Sequence, residues 1–285
     1  MPVTSIADQI FYCTVFISAQ AADGRAWTGT GFIIDYRLGG GRTPVLVTNK
    51  HVLRDAATAQ FRMVAAEGDG PSLRSTQMTV TGFTPDSWVG HPDPAVDVAV
   101  LPLAQIVDAM VNNGATPFYR SLGPDMLLTE LESNDLEGIE QVTFVGYPSG
   151  LFDTRTYLPI ARRGYTATPI YNDYRGEPAF LIDASVFPGS SGSPVFLFDQ
   201  GAYATRSGTV VGLRFKLLGV VAAVHTRVVS GRIEIVPTGA VTSFDEVVDL
   251  GIVYKSSAIQ ACADALFQLR GIDSAGETPN VADLA

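Results

Sequence analysis

Cysteine is nearly absent from this chain: 285 residues contain two, Cys13 and Cys262, near opposite ends. A secreted domain held by disulfides carries several paired cysteines, so these two read as reduced thiols packed in the interior. Histidine is almost as scarce. The three histidines and two cysteines do not fall at metal-ligand spacing, and no metal or organic cofactor is expected. Positive charge is also low, with 19 Lys and Arg against 29 Asp and Glu and a formal net charge of -10. The densest basic groups, Arg162-Arg163 and Arg214 with Lys216, are too short for a nucleic-acid footprint, and the acidic balance disfavours anionic lipid. No apolar run reaches the ~18 residues of a membrane span. The N-terminus lacks a basic segment and meets Asp8 before its first apolar run, unlike a secretory signal. These absences predict a cytoplasmic protein with neither nucleic acid nor membrane as partner.

What is present is apolar residue, 46% of the chain against 17% charged, enough for a sizeable core and too much for disorder. From Phe11 to Leu103 it comes in short runs rich in Val, Ile, Thr and aromatics, separated by Gly, Pro and Asp. That spacing predicts strands over 11–20, 28–36, 43–49, 59–65, 77–84 and 96–102. Gly39-Gly40-Gly41 and Glu67-Gly68-Asp69-Gly70-Pro71 are turns; a strand rather than a helix follows each, which excludes a phosphate-binding loop. The pattern lapses around Asn112-Asn113-Gly114, and Glu130, Glu132, Asp135, Glu137 and Glu140 read as a solvated connection. A second block of strands follows over 141–147, 157–167, 179–184, 194–198, 208–216, 217–228, 230–237 and 250–254. Ile259, Cys262, Ala263, Leu266 and Leu269 then recur at helical spacing before Gly271, predicting one amphipathic helix on the second unit and a loose tail over 271–285. The expected organisation is a first β-unit at 8–110, a linker at 111–135 and a second unit with its helix at 136–270.

His51 stands at the end of the apolar run Val45-Leu46-Val47-Thr48-Asn49-Lys50-His51. Asp97 lies among valines and alanines in Ala95-Val96-Asp97-Val98-Ala99, where a carboxylate is costly to bury unless it has a partner such as an imidazole. Ser191 lies in Pro188-Gly189-Ser190-Ser191-Gly192-Ser193-Pro194, whose glycines let backbone N–H groups point outward beside a hydroxyl. A serine hydroxyl at neutral pH is a poor nucleophile until a base takes its proton. These three residue types are what hydroxyl-based acyl transfer requires. His51 and Asp97 come from the first unit and Ser191 from the second, so the expected site is the crevice between them.

On these residues, together with Gly29-Thr30-Gly31-Phe32-Ile33-Ile34 and Val145-Gly146-Tyr147-Pro148, the chain resembles the trypsin-like, chymotrypsin-fold serine peptidases over roughly 10–260. Within them it is nearest to disulfide-free bacterial Deg-type protease domains. The resemblance implies an all-β fold of two six-stranded antiparallel β-barrels with the C-terminal helix, and a polypeptide substrate. It implies Ser191 as nucleophile, His51 as general base and acid, Asp97 as the group orienting the imidazole, and the N–H groups of Gly189 and Ser191 as the oxyanion hole. Ser185 falls at the base of the first specificity pocket and supplies no acid, Val224 narrows its mouth and His225 lies near its wall. A small or medium apolar side chain, rather than Arg or Lys, is expected there. Ser190 stands where zymogen-activated members carry an acid that pairs with a newly cut N-terminus, so that activation route is not expected. Lys50 replaces a small residue beside His51, and Ala222 a serine that bonds the triad acid. Too little chain follows Ser257 for the peptide-binding PDZ domain usual in Deg-type enzymes.

Two other functions fit parts of the pattern. An α/β-hydrolase esterase using Ser191 and His225 needs Gly-x-Ser-x-Gly followed by a helix, whereas here Ser193 takes the last position and Pro194-Val195-Phe196-Leu197-Phe198 reads as a strand. A pseudoprotease would keep the fold and hold peptides or a protein partner without cutting.

Overall fold

A computed structural model describes residues 3–235 and 238–272, with side chains described for all of these except 85 and 223–248. Helix α1 (Ile6–Tyr12) begins at Ser5, whose hydroxyl accepts the Asp8 N–H, and leads into strand β1 (Thr14–Gln20). Then follow β2 (Ala26–Leu38), β3 (Gly41–Thr48), the short helix α2 (Lys50–Leu53), β4 (Thr58–Glu67), β5 (Gly70–Thr81), β6 (Val89–Gly90) and β7 (Ala99–Pro102). These strands form one antiparallel sheet in the order β5-β4-β1-β2-β3-β7-β6. It has seven strands where six were expected. The extra one, β6, is a two-residue pairing with Ala99 and Val100, too short to carry an alternating pattern.

Helices α3 (Ala104–Asn112) and α4 (Glu130–Ser133) precede the second unit. That unit contains β8 (Gln141–Gly146), β9 (Ile160–Thr166), β10 (Ala179–Asp183), β11 (Pro194–Thr205), β12 (Gly208–Ile235) and β13 (Thr238–Lys255), followed by α5 (Ser256–Leu269). Its strands close into a six-stranded barrel in the order β10-β13-β12-β11-β8-β9. The three runs expected over 208–237 are one strand, β12, with register shifts between Val221 and Ala223 and between Val224 and Thr226.

The strands of highest apolar density are those with both faces buried. Alternate residues of a strand point to opposite faces. Thus Ile33, Leu46, Ala99 and Leu101 enter the interior of the first unit with Ile17, Phe61 and Met110. Their neighbours Phe32, Ile34, Val45, Val47, Val98 and Val100 face a second layer. Val195, Leu197, Leu218 and Val221 fill the barrel of the second unit with Phe144, Phe180 and Val253, while Phe196, Leu217 and Val220 turn to that same shared layer. Helix α5 seats Ile259, Cys262, Ala263, Leu266 and Phe267 in it. The helix therefore packs against both units rather than on the second alone. Burying a side chain the size of Phe or Leu contributes about 1.5–3 kcal/mol, so this layer holds the two units together.

The connection is not a free linker along its length. Residues 116–122 run along the first unit through hydrogen bonds of Ala66 N–H to the Thr116 carbonyl, Phe118 N–H to Val64, Arg120 N–H to Tyr12 and Leu122 N–H to Ile33. Leu128 N–H then joins the carbonyl of Leu217 in the second unit. The acidic run is not wholly solvated either. Glu132 closes a capping box with Thr129 and pairs with Lys216 at 2.7 Å. Glu140 is buried and pairs with Arg214 at 2.6 Å, an anion that a charge count along the chain could not tell from its exposed neighbours. No helix among the described residues is long and apolar enough to cross a membrane.

Candidate functional site

Strand β3 ends at Thr48, and the chain turns through the buried Asn49 into α2, which carries His51 in its first turn. The Asn49 side chain does not cap this helix. Its Nδ2 donates instead to the carbonyl of Asp97 at 2.6 Å. Both carboxylate oxygens of Asp97 are engaged by one residue: Oδ1 accepts the His51 backbone N–H at 3.0 Å, and Oδ2 accepts Nδ1 of the ring at 2.5 Å. A ring whose Nδ1 carries the bonded proton leaves Nε2 as a free acceptor, the tautomer a general base needs. The ring is 43% exposed, open to a substrate, while the carboxyl is 24% exposed behind it.

The segment holding Asp97 is pinned from three directions. Lys50 is buried, its Nζ donating to the carbonyls of His91 at 3.0 Å and Asp93 at 2.9 Å. Burial lowers its ammonium pKa. From the second unit, Tyr254 places its hydroxyl 3.1 Å from the carbonyl of Ala95 and 3.0 Å from Oε2 of Glu177. Burial and the nearby Glu177 push that phenol up to about 12.

Ser191 lies in the loop between β10 and β11. Ser190 N–H donates to Phe187 and Gly192 N–H to Val221, but the N–H groups of Gly189 and Ser191 have no acceptor among the described residues. Both peptide planes are set by their opposite ends. The Pro188 carbonyl accepts Ser149 N–H at 2.5 Å, which turns Gly189 N–H the other way; the Ser190 carbonyl accepts Ser193 N–H at 3.0 Å, which does the same for Ser191 N–H. Gly189 has φ +84 and Gly192 φ +87, and a Cβ on Gly192 would meet the Thr30 carbonyl at 1.7 Å, so both positions need glycine. Two oriented, unpaired donors beside a hydroxyl can bind an oxygen on which negative charge develops.

The Ser191 hydroxyl donates to the carbonyl of Ala222 at 3.0 Å. No hydrogen bond joins it to His51. Ala222 sits where the register of β12 shifts against β13, which frees its carbonyl from the ladder.

Of the residues expected at the site, the structure brings His51 and Asp97 into contact and presents Gly189 and Ser191 on one loop. Ser185 is exposed at the start of that loop, and its carbonyl accepts Nη1 of Arg162 at 2.8 Å. The side chains of Val224 and His225 lie outside the described residues. Sequence reasoning missed three residues. Thr30 is fully buried and uses every polar atom: its N–H donates to the Ser191 carbonyl, its own carbonyl accepts Thr48 Oγ1, and Oγ1 donates to Gly189 and accepts Tyr147 N–H. Its signal was a lone polar residue between two glycines, Gly29 and Gly31. Asn49 and Arg162 gave none, because their partners lie far away in sequence.

Comparison with solved structures finds similar chains at low identity. The Rv3671c protease of M. tuberculosis in its active form is 18% identical, covering 98% of this chain and 94% of its own, with a TM-score of 0.46. The protease Anisep of Arthrobacter nicotinovorans is 14% identical, with 89% and 94% covered and a TM-score of 0.47. The scabies mite inactivated protease paralogue S-I1 is 15% identical, with 91% and 97% covered and a TM-score of 0.45. Among curated protein sequences there is no match. The sequence profile of the trypsin-like peptidase domain matches residues 29–213, more than half of the chain and all of the segments that carry His51, Asp97 and Ser191, and the chain belongs to that family.

Proposed function

We propose that this protein is a serine endopeptidase in which Ser191 attacks the scissile carbonyl, His51 takes and returns the proton, and Asp97 holds the imidazole in its productive tautomer. The observation that carries this reading is the pair of unengaged N–H groups on Gly189 and Ser191, presented beside the Ser191 hydroxyl. In the first step the hydroxyl leaves the Ala222 carbonyl by rotation about χ1 and meets Nε2 of His51. Its oxygen bonds to the substrate carbonyl carbon as His51 accepts the proton. The carbonyl oxygen becomes an oxyanion held by the two N–H groups, and Asp97 stabilises the imidazolium. Collapse breaks the C–N bond, the leaving amine takes the proton from His51, and water releases the acyl group by the same steps in reverse order.

Substrates with Lys or Arg at the first pocket are disfavoured. Ser185 brings no acid, and the Arg162 guanidinium bonded to its carbonyl adds positive charge beneath it. One observation favours the second reading, a peptide-binding module that does not cut: the Ser191 hydroxyl rests on Ala222 rather than His51. Intact-mass labelling with a fluorophosphonate separates the two. Wild type is expected to take one adduct, lost in Ser191→Ala and in His51→Ala. An adduct that persists in Ser191→Ala, or none on folded wild type, overturns the peptidase mechanism.

A further inference from the structure

Beneath the loop that presents Gly189 and Ser191 lies a cation with no counter-ion among the described residues. Arg162 stands on β9, where its backbone pairs with Phe144 of β8. Its guanidinium lies 4.4 Å from the centroid of the Phe144 ring. Nη1 donates to the Ser185 carbonyl at 2.8 Å and Nη2 to Ser190 Oγ at 2.9 Å, while Nε is buried without a partner. No ion pair involves Arg162 among the described residues. Burial moves the guanidinium down to about 10, which leaves it cationic at neutral pH. A half-buried cation with no carboxylate against it among the described residues depends on its hydrogen bonds. Here those bonds grip both ends of one short loop.

Ser190 is where this grip matters. It is fully buried, its Oγ also accepts Phe187 N–H at 3.3 Å, and its own N–H donates to the Phe187 carbonyl at 3.0 Å. The two free N–H groups belong to the residues on either side of it, so any rotation of Ser190 swings one or both out of line. We propose that Arg162 is the positioning residue of the oxyanion-binding loop, a fixed cross-brace from β9 to Ser185 and Ser190 that holds the Gly189 and Ser191 N–H groups in line. This deepens the peptidase reading and rests on it. Arg162 touches neither substrate nor reacting atoms.

The test is steady-state kinetics on a peptide ester or amide, with affinity for a peptide aldehyde, for Arg162→Met, Arg162→Lys and Ser190→Ala. Loss of oxyanion donors typically costs about 10²–10³ in kcat. Arg162→Met is therefore expected to lose about tenfold or more in kcat, with KM within about threefold and aldehyde affinity falling in parallel with kcat. Arg162→Lys, which restores one donor, should recover part of the loss, and Arg162→Met should cost less in a Ser190→Ala background. A rise in KM at constant kcat places Arg162 in substrate binding and overturns the proposal, as does no change in either constant. If Arg162→Met does not fold, Arg162→Lys and Ser190→Ala decide on the same terms. Hydrogen exchange over 185–191 is measured on the same proteins. If wild type takes no fluorophosphonate, the peptidase reading has failed by itself. Faster exchange in Arg162→Met then upholds the brace, and equal exchange overturns it.

Discussion

Thr30 Oγ1 donates a 3.0 Å hydrogen bond to the carbonyl of Gly189, joining β2 of the first unit to the loop that carries Ser191 in the second. The same oxygen accepts the N–H of Tyr147 at 3.1 Å, in the turn whose Ser149 N–H holds the Pro188 carbonyl. One hydroxyl therefore couples both units to the peptide next to the site.

Thr30→Val keeps shape and removes that oxygen. It leaves a buried N–H on Tyr147 and a buried carbonyl on Gly189 without partners, a loss of about 1–3 kcal/mol per group. Urea denaturation should show a lower midpoint, and kcat should fall, with Thr30→Ser close to wild type in both. A Thr30→Val variant of unchanged stability would mean that water replaces the hydroxyl.

Gly189→Ala introduces a Cβ at φ +84, 2.7 Å from the Tyr147 carbonyl and 3.0 Å from Ser149 N. The loop must shift, and the unengaged Gly189 N–H shifts with it. The expected result is a loss of about 10² or more in kcat with little change in KM, and about 1–2 kcal/mol in stability. Loss of the folded far-ultraviolet circular dichroism spectrum in Gly189→Ala would point to general unfolding instead.

Cys13 and Cys262 are free and buried in the layer between the units, and burial pushes both thiols up to about 12. Thiolate is the reactive form, so a disulfide reagent should titrate neither cysteine in the native protein and both in denaturant. Rapid native labelling of either one would show that the shared layer opens.

His91 gives stability a dependence on mildly acidic pH. Its Nδ1 accepts Asp93 N–H at 3.0 Å, and burial lowers its pKa below the ordinary 6.5. A histidine with a depressed folded pKa binds fewer protons folded than unfolded in that window, so stability rises with pH there. Its contribution is complete above 6.5, shrinks as pH falls below that value and is lost once pH passes the folded pKa. Melting temperature measured from pH 7.5 down to about 5 should fall less steeply for His91→Gln than for wild type. Parallel curves would assign the acid sensitivity to carboxylates.

The strands with two buried faces were readable in the chain because Val45-Leu46-Val47 and Phe32-Ile33-Ile34 are apolar without interruption. Helix α5 announced itself through Ile259, Cys262, Ala263 and Leu266. Helix α1 and strand β6 were not readable, since one is short with Asp8 and Gln9 inside it and the other is two residues long. Glu140 looked like its solvated neighbours until Arg214 was placed against it.

Amino-acid order alone determined the residue types of the site, because a base, an acid and a hydroxyl flanked by glycines are each a local matter of composition and turn chemistry. It also marked most of the longer strands, through their apolar runs. What tertiary structure decided is which groups hold those residues: Asn49 on the Asp97 carbonyl, Thr30 on Gly189, Arg162 on Ser185 and Ser190. These are hydrogen bonds between side chains and backbone carbonyls or a hydroxyl distant in sequence. Every residue has a backbone carbonyl, so no residue pattern marks the one that will be chosen, and only the packing of two units around a common apolar layer selects it.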